Sequence, residues 1–152
     1  MKTKFDYYND AVHKADELIR DYHLDLDTRL HLISAFKAMK VPMEIVPAIE
    51  FNFFSAEGVL QVPDWSFFYS PCNRVDVIFQ FAKRWVPNNV IPAWSYGIQM
   101  AFTYEFLIPF VELRSFLKEK PSATPCDVAD YFKVPVLFAA QRLDKYEEEV
   151  SL

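Results

Sequence analysis

A mostly helical α+β fold with one small antiparallel sheet is what the sequence predicts, and three observations predict it. Apolar residues recur at three- and four-residue steps toward both ends of the chain, the mark of amphipathic helices. Short β-rich and aromatic runs bounded by turn residues are confined to positions 41–69. The chain has 152 residues, 52% of them hydrophobic and 24% charged, which suits one domain with one core.

Residues 6–22 read as the first helix, with Tyr8, Ala11, Val12, Ala15, Leu18, Ile19 and Tyr22 on one stripe. A second helix is expected from the capping residues Asp27 or Thr28 to about Met39. Val41–Val46 reads as extended, and Pro42 and Pro47 put it at a sheet edge or mark its ends. Residues 51–54 and 58–69 are strand-rich. A hairpin is expected there, with Val59–Val62 paired to Trp65–Tyr69 through a Pro63-Asp64 turn. A helix follows from about Arg74 to Val86. Pro87–Pro92 interrupts it, an apolar helix occupies 94–107, and a short one 110–118. Thr124-Pro125-Cys126-Asp127 combines an N-cap, a first-turn proline and an acid at the positive end of the helix dipole. That helix ends near Lys133, and Val134-Pro135 turns into a last helix reaching about Tyr146. Residues 1–146 are thus expected as one domain, 124–146 as its closing helix pair, and 147–152 as a solvated acidic tail.

Composition excludes several functions. Only two glycines occur, Gly58 and Gly97, so no glycine-rich loop is present to cradle phosphate. A net charge of −5 is a poor match for a polyphosphate surface. The closing helix pair superficially looks like a helix-turn-helix. Yet residues 121–152 set Lys133, Arg142 and Lys145 against six acids, so direct nucleic-acid binding is not expected. No apolar run is long enough for a membrane span, and residues 1–10 lack the apolar core of a signal peptide. The expected location is cytoplasmic.

Little in the sequence points to catalysis. His13, His23 and His31 stand 10 and 8 residues apart, off the one-turn spacing of a helical metal site, and read as surface or capping residues. Cys72 and Cys126 match no zinc or redox spacing and read as free, partly buried thiols. Glu105, inside an apolar run, reads either as a helix-surface acid pairing with Arg74, Lys83 or Arg84, or as an acid/base group. Residues 51–110 hold 16 of the 26 aromatics, most of them core. Trp65, Phe67, Phe68 and Tyr69 must point to both faces if they form a strand. With Trp94 and Tyr96 they are the candidate partner-binding surface.

The order of these segments over residues 12–146 resembles the ImmA/IrrE-type metallopeptidases. The resemblance is carried by Glu57-Gly58 before the hairpin, by Trp65–Tyr69, and by Asn73-Arg74 entering a helix. Ala101–Pro109 looks like the family's Phe-Ala, variable, Glu, apolar, Pro pattern, and Val128–Pro135 followed by Ala139–Leu143 looks like its closing helix pair. It implies a zincin-like scaffold. In that family the helix after the Arg carries His-Glu-x-x-His, two zinc ligands flanking a general base. By spacing that motif falls on Phe81-Ala82-Lys83-Arg84-Trp85. Phe81 and Trp85 stand where the histidines would be, Ala82 where the catalytic Glu would be, and Ile98 where the third ligand would be. None of these side chains has a lone pair to give a metal, and each large one gains roughly 1.5–3 kcal/mol from burial. The resemblance therefore implies a pseudoenzyme with no metal or other cofactor. Its expected role is to bind a protein partner, such as a helix-turn-helix repressor of a phage or mobile element. An inhibitor of a host or defence protein, or a metal-independent enzyme using Glu105 with Lys83 or Arg84, is the alternative.

Overall fold

The structure, a computed structural model, describes residues 1–50 and 53–151, the side chains of Phe53 and Phe67 excepted. Phe51 and Asn52 of the expected strand region lie outside the described residues. Among the described residues eight α-helices and three short strands follow in order. Helix α1 (Lys4–Asp21) begins with a capping box in which Thr3 and Asp6 each accept from the other's backbone N–H. This satisfies two donors that the first turn leaves orphaned. Its apolar stripe, including the buried Ala11, Ala15 and Leu18, lies against α5 (Pro92–Leu107).

The second expected helix is broken in two. Asp25, not Asp27 or Thr28, caps α2 (Leu26–Leu30), and α3 (Leu32–Ala38) begins only after His31, whose φ and ψ of −108° and 82° leave the helix. The break has a partner. Arg74 Nη1 donates to the carbonyls of Arg29 and Leu30 at 3.0 and 2.9 Å, oxygens that a helix end otherwise leaves unsatisfied.

The sheet is mixed, which corrects the expected antiparallel hairpin. β3 (Leu60–Val62) is its central strand. It runs parallel to β1 (Met43–Ile45) and antiparallel to β2 (Phe53–Phe54), with Met43 opposite Leu60 and Phe53 opposite Gln61. β1 is an edge strand. Leu60 and Val62 face the core while Gln61, between them, does not, the period of two expected of a strand. The tight turn from β2 into β3 falls at Ser55–Gly58, where Gly58 adopts φ 81°, a region that suits glycine.

Trp65–Tyr69 is not a strand but a 3-10 helix. In that helix residues three apart eclipse each other. Trp65 accordingly stacks on Phe68, and Phe68 enters the core at 2% exposure. The following helix α4 (Pro71–Phe81) opens with Pro71 in its first turn, three residues before the expected start, and gives way to a 3-10 turn at Ala82–Trp85. α5 also opens with proline, Pro92. It lies against α1 and α4. α6 (Phe110–Glu119), α7 (Pro125–Phe132) and α8 (Val136–Val150) complete the chain. The predicted helix start at Thr124 forms, and Thr124 and Asp127 add a capping box to it. Residues 147–149, expected as a solvated tail, continue α8, and Glu149 meets Arg142 at 3.5 Å. Cys72 and Cys126 are free and both exposed, not partly buried. Among the described residues no helix is long and apolar enough to cross a membrane.

Candidate functional site

Of the four positions that the resemblance assigns to metal and base, Phe81 and Trp85 are in ring contact, and Ala82 and Ile98 belong to the same hydrophobic core. Phe81 closes α4 and Trp85 lies one turn later in the 3-10 segment. Their rings meet edge to face at 5.0 Å. Trp85 stacks on Phe102 of α5 at 5.0 Å and 14°, and Phe102 continues onto Phe106 at 5.7 Å. Ile98 stands one turn before Phe102 on the same face of α5. Phe81, Ala82 and Ile98 are buried, and Trp85 is half-buried. On the other side Phe81 packs on Phe36 of α3 and Phe54 of β2. The space between α4 and α5 is therefore solid with rings, and rings in these geometries gain attraction beyond their buried area.

Two cations cover the stack. Arg84 lies over Phe54 and Phe81, 5.2 and 4.8 Å from their centroids, and its Nη2 donates to the carbonyl of Gly58 at 2.9 Å. Burial lowers the guanidinium pKa. Lys14 of α1 lies 5.6 Å from the Trp85 centroid. None of the three expected partners, Arg74, Lys83 and Arg84, pairs with Glu105. Among the described residues no group of three or more His, Cys, Asp or Glu side chains converges as a metal site would require. His31 donates from Nδ1–H to the Asp27 carbonyl at 2.9 Å, and His13 and His23 are exposed.

Glu105 is not the helix-surface acid expected. It is 5% exposed, and its partner is Arg142 of α8, whose Nη2 donates to Oε1 at 3.4 Å; the Phe110 N–H donates to the same oxygen at 3.2 Å. The Asp16 carboxyl on α1 faces it. Burial above all, and then the hydrogen bond and charge of Asp16, push the Glu105 carboxyl up to about 9, while Arg142 and the Phe110 N–H pull the other way. Asp16 and Arg142 escaped the sequence reading. Both carry a signal, because Asp16 borders the apolar stripe of α1 and Arg142 occupies the position that continues the buried Phe138–Ala139 stripe. An ionisable residue on a buried stripe implies a partner.

The candidate partner-binding aromatics divide between different surroundings. Trp65 and Tyr69 are 45% and 67% exposed, and Tyr69 borders a shallow pocket with residues of α2 and α3. Phe68 is core, not surface. The Phe67 side chain lies outside the described residues. Trp94 packs on Tyr7 at 6.0 Å, near the N-terminus, and the exposed Tyr96 packs on Phe79 at 5.5 Å.

The fold and this site define a mostly helical α+β protein with an aromatic-filled seam between α4 and α5. Comparisons with protein-family models, with curated proteins and with solved structures each return no match.

Proposed function

We propose that the chain is a non-catalytic, protein-binding regulator, built on a zincin-like scaffold of the ImmA/IrrE type whose metal site is filled by side chains. The observation that supports this is the ring stack Phe81–Trp85–Phe102–Phe106, which occupies the seam with groups unable to ligate a cation. A scaffold that gives up chemistry keeps its surface, so binding is the activity left to it. The net charge of −5 complements a basic, DNA-binding partner such as a helix-turn-helix repressor. Metal analysis of natively purified protein is expected to find no stoichiometric zinc, and affinity capture from the native host to recover an intact, uncut repressor. About one tightly held zinc per chain, or a repressor recovered cut, overturns the reading.

A further inference from the structure

A cleft of about 820 Å3 lies along α1, between the start of α6 and the end of α8. Two properties distinguish it. Its floor is apolar and partly uncovered: Phe5 and Val111 are 64% and 60% exposed, with Val12 and Phe110 half-buried beside them. Its charged lining is mainly acidic. Asp16 and Glu105 stand at the deep end and Glu148 and Glu149 on the α8 side, against the single lysine Lys145. A second pocket of about 340 Å3, floored by α5, shares Tyr8 and Lys145 with it and so extends the groove.

We infer that this groove seats a lysine-bearing amphipathic helix of a partner protein, its apolar face on Phe5, Val12, Phe110 and Val111 and one ammonium between the carboxyls of Asp16 and Glu105. The inference rests on the protein-binding reading above and names where and what the chain binds. An apolar floor between helices is the geometry that takes a helix in a groove. Charge selects the sign. The groups that act on Glu105 are Asp16 from α1, the Phe110 N–H from α6 and Arg142 from α8, and His13, Lys145, Glu148 and Glu149 line the same cleft. An acidic helix would set its carboxylates against Asp16, Glu148 and Glu149 and further disfavour the ionised form of Glu105. A lysine suits the site, because its ammonium can take the place of the proton that Glu105 holds beside Asp16. Binding therefore releases a proton and strengthens as pH rises from 6 to 8.

Fluorescence anisotropy with the full chain tests this at low salt. The probe is a labelled Leu/Lys amphipathic peptide of about 18 residues, five turns of helix, and its counterpart carries Glu for Lys. The Leu/Lys probe is expected to bind at least about tenfold more tightly than the Leu/Glu probe. Asp16→Asn and, independently, Val111→Asp are expected to weaken it by about tenfold, whereas the remote exposed Glu57→Gln leaves it unchanged. Failure of the Leu/Lys probe to bind, or equal binding by both variants and the parent chain, overturns the inference. Zinc content of the same sample separates the two claims. A zinc-free chain that ignores the probe overturns the cleft alone, and a zinc-loaded chain that binds it selectively upholds the cleft and overturns the regulator.

Discussion

Replacing Glu105 by glutamine should flatten the pH dependence of stability. In the folded chain burial, with Asp16 opposite, raises the Glu105 carboxyl from an ordinary 4.5 to about 9. The folded state then binds one more proton than the unfolded state throughout that interval. Its contribution to stability is fully present below pH 4.5, falls as pH rises, and is gone above about 9. Each pH unit within the interval costs about 1.4 kcal/mol, so the ceiling over the whole range is roughly 6 kcal/mol. Between pH 6 and 8, well inside the interval, the loss from this one group is about 2–3 kcal/mol. Glutamine keeps the shape and an acceptor for the Phe110 N–H but has no proton to lose. Chemical denaturation of both proteins at pH 5, 6, 7 and 8 reads the difference, because histidines and other common titrations cancel between them. The expected result is a crossing: the variant equal to or below the parent at pH 5, and above it at pH 8. Parallel pH profiles would refute the reasoning, as would a carboxyl NMR titration placing Glu105 near 4.5.

Three further outcomes follow from the same coordinates. Arg74→Lys should destabilise the chain by about 2–4 kcal/mol, because a single ammonium cannot reach the Arg29, Leu30 and Lys133 carbonyls that the guanidinium joins at 2.9–3.0 Å; thermal melting and faster amide exchange across residues 29–34 check it. Gly97→Ala would place a methyl 2.1 Å from Tyr8 Oη and 2.4 Å from Cζ. A loss of about 1–3 kcal/mol is expected, largely recovered in the double variant with Tyr8→Ala. Lys133 is exposed and holds φ 57° at the end of α7; Lys133→Gly should raise stability by about 0.5–1 kcal/mol in denaturant titration, since glycine adopts that conformation without strain and the carbonyl to Arg74 is retained.

Helices were legible where a local rule decided them. The α1 stripe and the Thr124–Asp127 box need nothing beyond their own few residues. The interruption between Pro87 and Pro92 and the turn at Lys133-Val134-Pro135 are similar cases. What escaped was decided at long range. The break at His31 depends on Arg74, more than 40 residues away. Trp65–Tyr69 reads as a strand because it is aromatic and β-prone, yet β3 finds its partners in β1 and β2, and the segment coils so that Trp65 can cover Phe68. Glu147–Glu149 reads as tail because it is charged, but Arg142 gives Glu149 a reason to stay helical. For the site the pattern is the same. Phe81 and Trp85 are apolar in sequence, and their meeting with Phe102 needed only the packing of this segment on α5. The Asp16–Glu105–Arg142 junction draws on three helices, and a sequence shows the spacing only within each.

One shortage ties the missed features together. Helices commonly end on a left-handed glycine, which frees the chain to turn and lets the last carbonyls find partners. This chain has two glycines, neither in such a place. It ends helices in two other ways. His23, Lys40 and Lys133 take the left-handed conformation themselves, at φ 54°, 59° and 57°, a strain that glycine would avoid. Three buried arginines take up exposed carbonyls: Arg29 the oxygen of Leu24, Arg74 those of Arg29, Leu30 and Lys133, and Arg142 that of Ile108. A guanidinium can serve several carbonyls at once because its donors fan out in a plane. Charge must follow it: Glu112 answers Arg29 and Glu149 answers Arg142, while the Glu105 carboxyl accepts from Arg142. The buried carboxyl at the cleft is thus a consequence of how the helices are ended. The arginine that takes up the last carbonyl of α5 also donates to Glu105, and Asp16 opposite helps to hold a proton on that buried acid.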